Sequence, residues 1–333
     1  MKKILLSIAT ISALIAVQAQ NGYIRIGTGY SWNAFQKTGQ VLTFQPGVSP
    51  DPAYSVILPL VKQDLSDTSG GRFIANVNDG YARGVNVNIT GGYMINPYFG
   101  VEMGIAYLKG ATIKSTSKTS DSPLLGANSI LNTTTSSFGL SLMPSLYLRA
   151  AKPEAKVAPF ARLGLSLPVY GATTHELNIA APNSILGNVK TDIRVRTQST
   201  ISLGINGSVG VNYTPIPLIS IFAEMNGQYL FVRTQKSTIN KYDLTIDGVT
   251  QNTLKSLTQY STITEFVDRL DENSNTERFG KEREPLVKDP NKKYVDESKP
   301  RQTLRTAANF SAIGFNIGLV FNLSKKIFES PLK

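Results

Sequence analysis

Several residue types are scarce in this chain of 333 residues, and each scarcity excludes a class of site. There is no cysteine and only one histidine, which excludes disulfide scaffolds, iron–sulfur clusters, cysteine nucleophiles and the usual zinc sites. Charged residues make up 17% of the chain, whereas an average soluble protein has roughly 25%. A soluble protein of this length normally needs more charge on its surface, so the low charge requires another explanation.

Long hydrophobic runs are scarce too, and the one at the start of the chain predicts export. Lys2 and Lys3 precede an apolar run from Ile4 to Val17, and the small residue Ala19 follows it. This is the pattern of a secretory signal peptide, so we predict that residues 1–20 are removed. The run is too short for a membrane-spanning helix, and no later stretch reaches the ~18 apolar residues that one needs.

Beyond residue 20, apolar and polar side chains alternate with a period of two, which predicts β-strands. In the last such segment Ile313, Phe315 and Ile317 alternate with Gly314 and Asn316. Eight segments share this pattern, at about 22–33, 80–95, 98–111, 134–149, 159–174, 196–213, 219–235 and 305–323. Short turns follow the second, fourth and sixth segments, and long loops follow the others, at 34–79, 112–133, 175–195 and 236–304. The alternation predicts an all-β, up-and-down antiparallel barrel of eight strands.

The polar face of the strands decides between a membrane barrel and a soluble one. It consists mainly of Gly, Ser and Asn, which are small enough to fill a narrow interior, so the aliphatic face must point outward into lipid. Aromatic residues gather near both ends of the strands, as they do at the two interfaces of a membrane. Those assigned to the outward face are Tyr93, Phe99, Tyr213 and Phe321 near the short turns, and Tyr30, Trp32, Tyr81, Tyr107, Phe138, Tyr229 and Phe231 near the long loops. We therefore predict a transmembrane β-barrel of eight strands, or ten if the first or fourth loop contributes a pair.

In its strands, turns and loop lengths, the chain resembles the small eight-stranded outer-membrane barrels of the OmpA and OmpX type. The leader, which ends Val17-Gln18-Ala19-Gln20, resembles those of Bacteroidota members of this group. The resemblance implies a monomer in the outer membrane of a Gram-negative bacterium. Residues 21–323 would form the barrel with its surface loops, and residues 324–333 a short periplasmic tail. Pro144 and Pro168 lie within neighbouring strands and predict a local bulge.

Four ionisable residues have the parity of the interior face, namely Arg25, Glu102, Arg162 and Glu224. They lie at similar depths, so two cations and two anions are expected to meet inside the barrel, where a paired set is tolerable and a lone charge is not. One interpretation is a rigid plug, and the other is a gate in a narrow channel for ions or small solutes. A wide pore is not expected, because an eight-stranded barrel is only wide enough to be filled by side chains.

Three cations share the outward parity at the long-loop rim: Arg83, Lys109 and Arg233. We expect Arg83 almost opposite Lys109, and a cation pair above aromatic residues suits the phosphates of lipopolysaccharide. The alternative is that the long side chains only reach into the headgroup region. His175, beside Glu176, lies at the outer end of the fifth segment, where lipid-A-modifying barrels place catalytic residues. No serine partner is identifiable, so this enzyme is the least favoured alternative.

The fourth loop contains two local patterns. Asp247-Gly248 within 242–249 predicts a hairpin, and apolar residues from Leu254 to Leu270 at helical spacing predict a short helix over the barrel mouth. We expect the long loops to contact an extracellular protein or matrix component, and the barrel to contact outer-membrane lipids and lipopolysaccharide. No catalytic set, cofactor motif or metal site is predicted. The net charge of +11 does not indicate nucleic acid binding, because no basic stripe is interleaved with aromatics.

Overall fold

The computed structural model describes residues 22–34, 80–119, 129–152, 154–184, 187–254, 261–271, 273–276, 296 and 298–323, and the backbone of four short strands between residues 40 and 76. The predicted signal peptide and tail lie outside the described residues. Within these residues the secondary structure consists of strands, without an α-helix. No helix long and apolar enough to cross a membrane occurs in this part of the chain.

The strands in chain order are β1 (Gly22–Asn33), β2 (Gln40–Gln45), β3 (Tyr54–Pro59), β4 (Val61–Leu65), β5 (Phe73–Asn76), β6 (Gly84–Met94), β7 (Phe99–Gly110), β8 (Ile113–Thr119), β9 (Ser129–Arg149), β10 (Val157–Ser184), β11 (Gly187–Ser199), β12 (Gly204–Ile216), β13 (Ile219–Tyr229), β14 (Phe231–Ile246), β15 (Val249–Thr253), β16 (Ile263–Val267), β17 (Arg301–Leu304), β18 (Ala307–Asn309) and β19 (Ala312–Asn322).

Eight of these strands close into an antiparallel barrel, in the order β1-β6-β7-β9-β10-β12-β13-β19. The first and last strands pair along their length, from Tyr23 with Asn322 to Asn33 with Ala312. The predicted up-and-down barrel is confirmed, with eight strands rather than ten. Tight connections join β6 to β7, β9 to β10 and β12 to β13 at one end, here called the turn end. The opposite end, here called the loop end, carries the long connections.

The alternation along each barrel strand places aliphatic side chains outside and small polar ones inside. On β6, for example, Val85 and Val87 are exposed whereas Asn86 and Asn88 are buried. Glycine is needed at the interior positions that lie against the ring of Phe222, because there is no room for a side chain there. A Cβ atom on Gly27 would lie 2.7 Å from Cζ of Phe222, and one on Gly318 would lie 2.6 Å from its Cε1. The ring of Phe222 therefore fits across the interior only because the residues beside it are glycines.

Most aromatic residues predicted for the outward face are exposed there, but Tyr81 is not. Its side chain is only 4% exposed, and its ring stacks on Phe310 with 5.5 Å between centroids. Tyr81 precedes β6 in a turn, so the alternation of the strand does not determine its direction. With Ile113 it forms a small apolar cluster at the loop end.

Beyond the barrel, β9 and β10 continue into a second sheet. A transmembrane strand needs about 9–11 residues, whereas β10 has 28. It pairs with β12 as far as Ser166 and with β11 from Ala172 onward. At ~3.3 Å per residue, the part from Ala172 to Ser184 is about 40 Å long, measured along the strand. We call the sheet formed here by β8, β9, β10, β11 and β14 the projecting sheet.

The structure at the loop end contradicts three predictions made from the sequence. The predicted third loop, 175–195, is a hairpin of β10 and β11, and the predicted sixth strand is two strands separated by residues 200–203. The helix predicted between Leu254 and Leu270 is wrong in its described part, because Ile263–Val267 is a strand that pairs with β14 and β17. The predicted Asp247-Gly248 turn is confirmed, since both residues have positive φ, 47° and 80°, as a type I′ turn requires.

A bulge separates the barrel part of β10 from its projecting part. Pro168 pairs with Ser141, but Tyr170 pairs with Leu140, so β10 contains one residue more than β9 at this point. The bulge predicted from proline is thereby confirmed. An extra residue reverses the parity of the strand. Accordingly Ser166 below the bulge and His175 above it are both buried.

Candidate functional site

The four interior charges meet at one level of the lumen. Arg162 Nη2 lies 2.7 Å from Glu224 Oε1, and its Nη1 lies 3.3 Å from Glu102 Oε2. Arg25 Nη1 lies 3.4 Å from Glu224 Oε2, and its Nε lies 3.9 Å from Glu102 Oε1. Each arginine therefore contacts both carboxylates. We call these four residues the charge quartet.

The charge quartet is built from every second strand of the barrel, namely β1, β7, β10 and β13, so its side chains converge from four sides. The side chains of Arg25, Glu102 and Glu224 are fully buried, and that of Arg162 is 13% exposed. Buried ions are tolerable only when their remaining hydrogen-bonding capacity is also met. Four neutral groups meet this requirement for the carboxylates: Tyr23 and Ser145 donate to Glu102, and Asn316 and Ser208 donate to Glu224. On Arg25, by contrast, Nε and Nη2 have no hydrogen-bond partner among the described residues.

Aromatic rings close the lumen on the turn-end side of the charge quartet. This aromatic floor consists of Tyr23, Tyr147, Phe160 and Phe222, packed with Val320. The guanidinium carbon of Arg25 lies 4.5 Å from the ring centroid of Phe160 and 4.6 Å from that of Phe222, within the range of a cation–π interaction. These rings stabilise a charge that has no water around it.

The aromatic floor was not predicted, although the sequence contains a signal for it. Tyr23, Phe160 and Phe222 each precede a member of the charge quartet by two positions. Residues two apart on a strand share a face, so these rings have interior parity. They were not predicted as interior residues, because only aromatic residues of the outward face were considered.

On the loop-end side of the charge quartet the lumen holds a cavity of about 130 Å³, here called the lumen chamber. Arg162 borders its lower part, and Asn88, Asn226 and Asn316 line its wall. Leu230, Val232 and Phe310 line its upper part. The sequence predicted a small polar interior but gave no sign of this cavity.

Of the three predicted rim cations, Arg83 and Lys109 are diagonal neighbours on adjacent strands, and Arg233 lies apart from both. The N–H of Ala111 donates to the carbonyl of Arg83 at 2.6 Å, and Lys109 pairs with Val85, so Arg83 and Lys109 are offset by two residues rather than opposite. Arg233 lies on β14, which continues from β13, four strands from β7 around the barrel. Its Nη2 pairs with Asp268 at 3.2 Å.

Lys109 instead lies next to β9, the strand on the other side of β7 from Arg83. It pairs in register with Phe138 of β9. The guanidinium carbon of Arg196 lies 5.7 Å from the ring centroid of Phe138, and its Nη2 donates to the Tyr170 hydroxyl at 3.2 Å. We call Lys109, Phe138, Tyr170 and Arg196 the rim patch. Arg196 was not a predicted site residue, because the pairing that brings it here begins only above the bulge in β10.

His175 is buried and faces the inside of the projecting sheet. Its Nδ1 lies 3.0 Å from Oγ1 of Thr135, and its ring meets that of Tyr81 at 6.4 Å between centroids. Burial lowers the pKa of His175 to about 4. The neighbouring Glu176 points to the other face, where Arg194 pairs with it at 2.8 Å. The two residues therefore do not form an acid–base pair.

Comparison with known proteins agrees with the barrel. Residues 4–252 match the family model described as outer membrane protein beta-barrel domain, which is more than half of the chain. Two crystal structures of Ail, the attachment invasion locus protein of Yersinia pestis, are similar, one of them in complex with the heparin analogue sucrose octasulfate. They are 10% and 11% identical, with a TM-score of 0.26, and each match covers 91% of this chain and 98% of Ail. No curated protein matches. The chain belongs to the outer membrane protein beta-barrel domain family, and its place is the outer membrane of a Gram-negative bacterium.

Proposed function

We propose that this protein makes contacts at the cell surface, with the barrel as its anchor and the projecting sheet as its contact surface. The length of β10, 28 residues, is the observation that carries this proposal. A strand that only spanned the membrane would need about 9–11 residues. The additional length lies at the loop end, which is the extracellular end in barrels of this kind.

The projecting sheet has the rigidity that a contact surface needs. Its inner face has an apolar core in which Leu177, Ile193, Val195, Ile239 and Tyr242 pack together. Its outer face is polar, and ion pairs hold the long side chains there in place. Such pairs join Arg194 to Glu176 and Lys241 to both Asp192 and Asp243. A surface that is ordered before binding loses less conformational entropy when a partner binds.

The partner would be an extracellular protein or matrix component, and cell adhesion tests this. We expect bacteria that produce the protein to adhere to a panel of immobilised matrix proteins more strongly than a deletion strain does. Replacing Lys190, Arg194 and Lys241 by Gln should reduce adhesion, whereas Lys156→Gln at the turn end should not. Equal adhesion of the producing and deletion strains across the panel would refute the proposal.

The rim patch supports a second, more local role in binding lipopolysaccharide. Lys109 is the register partner of Phe138, and the guanidinium group of Arg196 lies 5.7 Å from the centroid of the Phe138 ring. Cations above an aromatic band suit phosphates of the outer leaflet. Arg83 and Arg233 would add separate contacts elsewhere on the rim, although Arg233 already shares Asp268 with Arg305.

Lipopolysaccharide with and without its lipid A phosphates separates charge recognition from general affinity for lipid. We expect the double variant K109Q/R196Q to bind the phosphorylated form more weakly and the dephosphorylated form equally well. Lys190→Gln on the projecting sheet serves as the matched control. A double variant that binds both forms as the wild type does would contradict a role for the rim patch.

A further inference from the structure

The barrel wall is interrupted on β10, beside the lumen chamber. β10 pairs with β12 as far as Ser166, opposite Gly204, and with β11 from Ala172 onward. Residues 167–171 of β10 and 199–203 opposite them, all of which the structure describes, do not pair with each other. We call these two stretches the wall break. The register is the same below and above it, so the two chains separate locally and then meet again.

At the wall break, the chain opposite β10 directs its hydrogen bonds toward β14. The N–H of Thr200 donates to the carbonyl of Arg233 at 2.9 Å, and the hydroxyl of Ser202 accepts from the N–H of Arg233 at 3.0 Å. At the upper edge one hydrogen bond crosses to β10, from the hydroxyl of Ser199 to the carbonyl of Gly171 at 3.2 Å. The other backbone groups of β10 that point into the wall break have no partner strand.

The ladder on the other side of β10 is interrupted at nearly the same height. Between Gly164 and Leu167, two residues of β10 have no register partner on β9, and Pro144 lies opposite them. Proline has no N–H to donate, and Pro168 lies within the wall break itself. Backbone groups without strand partners are tolerated at membrane depth where they line a cavity. The lumen chamber is the cavity at this place.

The wall break lies between the membrane and the lumen chamber. On the outside, Ile201 and Leu203 are each 65% exposed, as expected of side chains that contact lipid. On the inside, Pro168, Gly171 and Ser199 line the chamber. A molecule dissolved in the outer leaflet would therefore reach the chamber sideways, through the wall break.

The two parts of this site suit a molecule with one polar and one apolar end. The backbone groups of the wall break include N–H donors and C=O acceptors, and a hydroxyl group pairs with either kind. The upper wall of the chamber is apolar, with Leu230, Val232 and Phe310. An ion is disfavoured, because the charge quartet below the chamber is already balanced in charge.

The size of the chamber limits the apolar end of the molecule. A dry cavity of about 150 Å³ holds one benzene molecule. The chamber, at about 130 Å³, therefore accommodates roughly five or six carbon atoms. The charge quartet and the aromatic floor prevent a longer chain from extending toward the turn end.

We propose that the lumen chamber binds one small amphipathic molecule, with a single hydroxyl group and an apolar body of roughly five or six carbon atoms, which enters sideways from the outer leaflet through the wall break. Its hydroxyl group bonds to the unpaired backbone groups of the wall break, and its carbon atoms contact the apolar upper wall. The site is separate from the projecting sheet and needs no phosphate on the rim patch. It can therefore fail or stand independently of the proposed function.

A series of 1-alkanols tests the proposal on the full-length mature protein in lipid nanodiscs. Methionine methyl groups, observed by nuclear magnetic resonance, report from both sides of the wall, because Met143 lines the chamber whereas Met103 and Met225 are exposed outside. The Met143 signal should shift saturably, with an affinity that rises about fourfold per added CH₂ group and stops rising at roughly six carbons. The signals of Met103 and Met225 should report partitioning into lipid, which continues to increase for longer alkanols.

A cross-link tests the route of entry, and its position is unambiguous because the chain has no cysteine of its own. V169C/I201C places a disulfide across the middle of the wall break. In the oxidised form 1-pentanol should no longer shift the Met143 signal, and reduction should restore the shift. The matched control is L163C/G207C, which joins a register pair of β10 and β12 outside the wall break and should leave the shift unchanged.

A Met143 signal that follows those of Met103 and Met225 along the whole series, or that does not shift at all, would overturn the proposal. A Met143 shift that survives oxidation of V169C/I201C would overturn entry through the wall break, and L167C/L203C at its lower edge provides a second cross-link. The alkanol series uses the wild-type protein, so the test of binding does not depend on whether the cysteine variants fold.

Discussion

Replacing Glu224 by Gln removes one of the two negative charges from the charge quartet. Glu224 accepts from Arg162 at 2.7 Å, Asn316 at 3.0 Å, Ser208 at 3.3 Å and Arg25 at 3.4 Å. The variant leaves two buried arginines with one carboxylate, and if the new amide keeps its oxygen toward Arg162 and Asn316, its NH2 group faces the donor group of Arg25. Removing one partner of a buried ion pair costs about 3–5 kcal/mol. We expect the free energy of unfolding to fall by this amount.

Urea unfolding of the refolded protein in detergent, followed by fluorescence and by heat-modifiable migration on gels, measures this loss. The exposed pair of Glu176 and Arg194 provides the matched control, since its side chains are 44% and 50% exposed. There Glu176→Gln should cost at most about 1 kcal/mol. Replacing all four quartet members by apolar residues of similar volume should be nearly neutral, because that change removes the buried charges together. A cost below about 1 kcal/mol for Glu224→Gln would refute our account of the charge quartet.

Three further outcomes are expected. In planar bilayers the protein should show no steady current, because the charge quartet and the aromatic floor fill the turn-end half of the lumen; conductance that changes in Glu102→Ala would favour the gated channel instead. Because burial lowers the pKa of His175 to about 4, the unfolded chain binds the proton more tightly between about pH 4 and pH 6.5, so stability should fall by about 3 kcal/mol as the pH decreases through that range. His175→Gln should abolish this fall in urea unfolding, and the same pH dependence in both proteins would contradict the assignment. Gly27→Val should lower stability by about 1–3 kcal/mol through overpacking against Phe222, whereas Gly91→Ala, where an added Cβ meets nothing within 4 Å, should change it by no more than about 1 kcal/mol.

The charge quartet could be located from sequence because two simple rules combine. Parity along a strand determines which face a residue occupies, and short turns fix the register between neighbouring strands. Arg162 and Glu224 each lie close to the turn end of their strand. The register set by the short turn therefore still holds at these residues, and their depth in the barrel can be estimated. The same rules would have located the aromatic floor if Tyr23, Phe160 and Phe222 had been assigned with them.

His175 shows where these rules stop working. The single extra residue near Pro168 reverses parity, so His175 faces inward, although counting along the strand from Arg162 gives it outward parity. A proline indicates that a bulge is near, but it does not say how many residues the bulge adds or whether pairing resumes beyond it. The rim patch was missed for the same reason, since Arg196 reaches Phe138 only through strands paired above the bulge.

The error at residues 254–270 has a different cause. Ile263, Phe266 and Val267 fit a helical spacing, yet they also fit a short strand in which tertiary pairing supplies the decisive contacts. Phe266 is buried between neighbours on β14 and β17, which are distant in sequence. Local periodicity does not contain that information, whereas in the barrel the pairing partners follow one another along the chain.

The strand β10 connects the charge quartet to the projecting sheet. Its lower half contributes Arg162, which contacts both carboxylates of the charge quartet, and its upper half forms the centre of the projecting sheet. A sheet whose central strand continues for about 40 Å past its barrel part needs a base that does not deform. The charge quartet and the aromatic floor, which fill the turn-end half of the lumen, supply that base, because close-packed interiors resist deformation. Under the proposed function, the packed part of the lumen and the long sheet belong to one design, in which the barrel holds the projecting sheet in place at the cell surface.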